Sequence, residues 1–274
     1  MLAMPLSRPT INAWMMLGFA ALVAGGFAVA LGYHQVRDAN TLCIKGEELG
    51  QTIVLVDKTD KWNPNQSDRL EQHVLDVLNV EMKQEERLRV FSFGATFVPG
   101  FRENFTGCKP PDGRNCKGIF CSPERLREQY QQRFLSPLLS ELKTLKIPTK
   151  GDCSPIAEVL VEVMSRKEVK LQPGKTRIVL ISDMAQNTPL YTAFRGRPTC
   201  PGVTGGTDPE RDNSLLNHFE KFKAEMRLAD TSVLVFQVTP DGRSPDVGIL
   251  AKRKWDEVFQ ALKIEQNPES WQRL

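Results

Sequence analysis

Two aspartates stand where short, β-branched apolar runs stop. Asp57 closes Thr52-Ile53-Val54-Leu55-Val56-Asp57, and Asp183 closes Arg177-Ile178-Val179-Leu180-Ile181-Ser182-Asp183. Such runs are typical of strands buried on both faces of a parallel sheet. Ligands of these sheets bind outside the carboxyl ends of the strands, so both carboxylates are expected on one rim. Thr59 follows Asp57 by two positions, and Ser154, in Ser154-Pro155, is expected to cap a helix starting at the same edge. Carboxylates joined by hydroxyls make an all-oxygen set suited to Mg²⁺ or another hard cation.

A second chemistry starts from the same residue. A strand ending in Asp-x-Thr resembles the haloacid dehalogenase phosphatases, which implies a Mg²⁺-dependent phosphate-ester hydrolase with Asp57 as nucleophile. Those enzymes carry a second acid two positions on, where this chain has Thr59. Pro173-Gly174-Lys175-Thr176 looks like the end of a phosphate loop. The first glycine of that motif would fall on Val169, however, and a strand follows instead of a helix. His34, His73 and His218 are scattered, and no Ser/His/Asp or Cys/His arrangement is legible.

The elements that must position these residues alternate along the chain. A helix opening at Ser67 follows the first strand, and a second strand covers 88–93. Residues 96–121 read as one long loop. Ser122-Pro123 opens a further helix, which Pro137 should kink or split. The helix after Ser154 carries Ile156, Val159, Leu160, Val163 and Met164 on one face. The strand ending at Asp183, a loop to 211, a helix, a strand at 233–238 and a helix over 244–264 complete the order. Trp255 and Phe259 are expected to seat that last helix on the sheet. Strands alternating with helices predict an α/β, doubly wound and mainly parallel sheet.

With these elements in place the chain resembles the von Willebrand factor A-like fold and its metal-ion-dependent adhesion site. That family has Asp-x-Ser-x-Ser after its first strand, a Thr before a central helix and an Asp after a later strand. Asp57-Lys58-Thr59-Asp60-Lys61 matches the first motif, Ser154 stands for the Thr, and Asp183 for the last Asp. The resemblance implies a non-enzymatic protein-interaction module, with Asp57, Thr59, Ser154 and Asp183 holding Mg²⁺ against a partner's carboxylate. Lys61 occupies a Ser position. Its ammonium could instead replace the cation, and a third reading gives both carboxylates only hydrogen-bonding work inside the fold.

Residues 11–33 contain no charged side chain. A helix needs about 20 such residues to cross the hydrocarbon core, so the segment reads as an uncleaved anchor; a cleaved signal peptide ending near Ala28-Val29-Ala30 is the rival. The domain layout is then a tail at 1–10, the anchor at 11–33, a linker at 34–50 and the α/β domain at 51–274. The net charge of +3 on 274 residues, with Lys and Arg dispersed, gives no nucleic-acid footprint. Six cysteines, three of them in the polar stretch 108–121, favour disulfides over zinc and so an oxidising compartment. The expected placement is a bacterial inner membrane, single-pass, with the domain in the periplasm.

Overall fold

The computed structural model describes residues 16, 18–22, 37–46, 49–59, 62–96, 101–116, 121–149, 151–194, 200–202, 208–239 and 244–273. The chain divides into two units, Met1–Arg37 and Asp38–Leu274. In the first, most of the apolar segment lies outside the described residues. Those described within it, at 16 and 18–22, are helical and exposed. Among the described residues, no helix is long and apolar enough to cross a membrane.

The second unit is built on β1 (Gly50–Asp57), β2 (Arg87–Phe93), β3 (Arg102–Cys108), β4 (Lys175–Ser182), β5 (Thr231–Gln237) and β6 (Glu265–Arg273). Their order is β3-β2-β1-β4-β5-β6, parallel throughout except for β3, which runs antiparallel to β2. The order reverses between β1 and β4, as in doubly wound α/β folds. Alternating side chains of β1 feed two cores. Ile53 and Leu55 join the helices α4 (Ile156–Ser165), α6 (Ser214–Phe222) and α7 (Pro245–Ala261) on one face. Val54 and Val56 join α1 (Pro64–Asp76), α2 (Pro123–Tyr130) and α3 (Ser136–Leu145) on the other. All four are fully buried, each contributing roughly 1.5–3 kcal/mol. A short α5 (Lys167–Lys170) leads into β4. Trp255 and Phe259 are buried, as their spacing on the last helix predicts.

Several expectations are corrected. Residues 102–108 form the edge strand β3, not part of a loop; its sequence is mostly polar, which suits a half-exposed strand and hides it from an apolar scan. The chain does not end on a helix, because β6 adds a further edge strand containing Pro268, tolerated only at an edge or a bulge. The first helix is capped by Asn63, not Ser67. Asn63 accepts from the Gln66 amide while the Gln66 side chain accepts from the Asn63 amide. The split expected at Pro137 is present: a π segment, Gln131–Leu135, separates α2 from α3 and places the proline in a first turn that needs no N–H.

The cysteines pair as Cys43–Cys108, Cys116–Cys121 and Cys153–Cys200, leaving none for zinc. The first bond ties the segment before β1 to the end of β3, and the Cys108 amide also donates to the Thr41 carbonyl at 2.7 Å. The third joins the residue ahead of Ser154 to the loop after β4.

Candidate functional site

Asp57 ends β1 at the switch point of strand order, 3% exposed. Its Oδ1 accepts from the Thr59 amide (2.9 Å) and the Thr59 hydroxyl (2.6 Å). Its Oδ2 accepts from the hydroxyls of Ser154 (3.1 Å) and Ser182 (2.7 Å). One carboxylate therefore gathers side chains from the loop after β1, the turn ahead of α4 and the end of β4. Each bond to an ionised acceptor is worth about 1.5–3 kcal/mol.

Ser154 is not the helix cap that its position suggested. Pro155 occupies the cap position with no side-chain bond, and Gln186 Oε1 instead accepts from the Ala157 amide at 2.9 Å. This frees the Ser154 hydroxyl for Asp57. Ser154 is held by two backbone bonds with Asn187 (3.0 and 3.1 Å), while the Asn187 side chain donates to the Asp152 carbonyl. On the other side, Gly94 allows Thr149 to close over the loop: a Cβ there would lie 2.5 Å from Thr149 Oγ1. The Thr149 amide and hydroxyl both donate to the Lys58 carbonyl (2.8 and 3.1 Å).

Asp183 follows Ser182 and shares the rim. Its Oδ1 accepts from the Ala185 amide at 2.9 Å, and it lines a cavity of about 240 Å³ with Gln237, Val238, Ser244, Val247 and Lys252. Between them Met184 adopts a left-handed φ of 61° and is fully buried. Three bonds hold it: its amide donates to Ser182 Oγ at 2.9 Å, and its carbonyl accepts from the Trp255 indole at 2.8 Å and the Gln186 amide at 3.1 Å. Thr59 and Ser154 thus meet Asp57 directly, and Asp183 stands just beyond the end of the neighbouring strand with its Oδ1 engaged in its own loop.

Ser182 and Trp255 are parts of the site that the sequence reading missed. Ser182 was visible beside Asp183, but strand alternation alone does not say which face it takes. Lys61 and Asp60 lie outside the described residues. Lys58 is half-buried; burial first, and then repulsion from Arg102, pull its pKa below the ordinary lysine value.

The donor set suits a hard cation in kind. A hydroxyl that donates to Asp57 keeps its lone pairs, so Thr59 and Ser154 can still face a metal. The same bonding disfavours Asp57 as a nucleophile, since each of its oxygens already holds two donors.

Fold and rim together define a doubly wound α/β domain with an oxygen-lined site at its switch point. No family model matches the chain and no curated protein does either. Among solved structures the chain is similar to the manganese-loaded TRAP protein of Plasmodium vivax, at 13% identity and a TM-score of 0.43, covering 83% of this chain and 68% of that one. It is also similar to the pilus adhesin SpaC of Lactobacillus rhamnosus GG in its open conformation (10%, 0.46), covering 87% of this chain but 29% of the adhesin. A third is the conserved hypothetical protein BatB of Bacteroides thetaiotaomicron (12%, 0.38; 82% and 90%). All three TM-scores fall below 0.5, and the fold assignment rests on strand order and register instead.

Proposed function

We propose that the chain is a membrane-tethered, non-catalytic protein-binding module of the von Willebrand A-like class. Its partner docks on the carboxyl-end rim around Asp57, Thr59, Ser154 and Asp183. The observation that carries this reading is the convergence of Thr59, Ser154 and Ser182 on Asp57 at the switch point, where such folds place ligands. A divalent cation there would supply a Lewis-acidic contact for a partner's carboxylate. Thr59 and Ser154 would offer neutral oxygens to it, while Asp57 and Asp183 balance its charge.

The tether is the segment 11–33. Its support is the absence of charge over that length and the exposure of Met16, Phe19 and Leu22 at 71–76%, apolar surface that calls for cover. The disulfides support an oxidising compartment, read as the periplasmic side of a bacterial inner membrane.

Photo-crosslinking from the exposed positions Ile147 and Ile249, near the rim, against Val80 at the opposite end tests the docking surface. The expected result is a protein adduct from the rim positions that disappears in Asp183→Ala. Adducts from Val80 alone, or adducts indifferent to Asp183, would overturn it.

A further inference from the structure

The amino ends of the strands carry a different surface. Leu49 and Leu171 are 61% and 70% exposed there. They are neighbours through the backbone: Gly50 pairs with Lys175, and Gly174 lies so close to the Leu49 carbonyl that a side chain would strike it. Arg227 stiffens the patch by donating to the carbonyls of Lys170 (2.9 Å), Gln172 (2.5 Å) and Gly174 (2.5 Å). Lys45, Lys167, Lys170 and Lys175, which flank the leucines in the same segments, are exposed. Among the described residues the exposed acids of the same loops are Glu168, which faces Arg166 at 3.9 Å, and Asp230; Glu47 and Glu48, between Lys45 and Leu49 in the sequence, lie outside them.

A second observation concerns where the chain enters this face. The chain is fixed to it from residue 39 onward, through the Arg133 bond to the Ala39 carbonyl (3.1 Å), the Cys108–Thr41 bond and the Cys43–Cys108 disulfide. Much of what reads in sequence as a linker is therefore part of the folded unit. Only residues 34–37 separate the apolar segment from Asp38, and four residues reach at most about 14 Å.

We propose that this amino-end face lies on an anionic bilayer surface. Leu49 and Leu171 enter the headgroup region, and Lys45, Lys170 and Lys175 meet lipid phosphates. The inference rests on the tether proposed above and deepens it. Basic side chains around exposed leucines suit an anionic interface, and the short covalent connection holds them within its reach. An eight-residue strand spans about 26 Å, so the Asp57 rim then stands away from the membrane and meets partners approaching from the aqueous side.

The test uses the full chain in phosphatidylcholine nanodiscs, in discs of 3:1 phosphatidylcholine:phosphatidylglycerol, and in a neutral detergent micelle. Carbonate extraction from vesicles of the same lipids reports on the tether separately. The expected result is retention after carbonate, with amide hydrogen exchange over 167–175 slowed at least about tenfold in the anionic discs. That slowing should vanish in the K45E/K170E/K175E variant, while exchange at Thr59 stays unchanged. Equal exchange in all three environments, or slowing that survives the triple reversal, overturns the docking and leaves the tether standing. Release by carbonate overturns both.

Discussion

Ser154 and Asp57, 97 residues apart in the chain, meet at 3.1 Å across the carboxyl end of the sheet. The contact joins the first strand to the entrance of the central helix, and it makes the rim one hydrogen-bonded unit. Changes at one of these residues should therefore be felt across the rim, and the consequences are measurable.

Replacing Asp57 removes the acceptor of four donors in a buried place. Asp57→Ala is expected to destabilise the domain by about 3 kcal/mol or more, and Asp57→Asn by less, since one acceptor oxygen remains. Urea denaturation followed by far-UV circular dichroism reads both. A loss within 0.5 kcal/mol, on the order expected of an ordinary surface change, would mean the carboxylate does not organise the rim.

Trp255 braces Met184 through its indole. Trp255→Phe keeps the ring contact with Phe219 at this site but deletes that bond. The expected cost is about 1–3 kcal/mol, with faster amide exchange over 183–187. Unchanged exchange there would show that the Ser182 and Gln186 bonds hold the left-handed turn without the indole.

The Cys43–Cys108 bond closes a loop of 65 residues in sequence separation. The double variant Cys43→Ser/Cys108→Ser is expected to lose about 2–5 kcal/mol, read from the denaturant midpoint under oxidising conditions. Wild type treated with reductant should lose at least as much, because the Cys116–Cys121 and Cys153–Cys200 bonds open as well.

Stability should also fall in mild acid. Burial lowers the pKa of His73, with Asp76 pulling it back up and Arg69 pushing it down. Burial likewise lowers His218, opposed by Glu158 and aided by Lys221. His73 lies against Phe236, and His218 has a buried Nε2 with no hydrogen-bond partner among the described residues. Both histidines bind protons more weakly when folded than unfolded. Their contribution is complete above about pH 6.5 and is lost as pH drops below that value towards the folded pKa. Urea midpoints between pH 7.5 and 5 should decline for wild type and decline less for His73→Gln/His218→Gln; equal slopes would assign the effect to other groups.

The central strands and the two aspartates were legible because β1 and β4 are apolar runs that terminate in acid. Alternation and helical spacing likewise identified the faces of α4 and α7. The edge strands β3 and β6 were not legible, because a half-exposed strand needs no apolar run and polar residues there read as loop. Ser154 looked like a helix cap because Ser-Pro is the local signature of one. Its actual partner, Asp57, is chosen by tertiary approach, which no window of sequence contains. Ser182 escaped for the same reason.

The divalent cation proposed for this rim, held for a partner's carboxylate, is open to direct test. The most direct measurement is titration of the full chain in detergent with Mn²⁺, read by electron paramagnetic resonance, comparing wild type with Thr59→Ala and Asp183→Ala. The account predicts one saturable site in wild type that is lost in both variants, with circular dichroism unchanged. A wild-type chain with no saturable site, or variants that bind Mn²⁺ as wild type does, would contradict it.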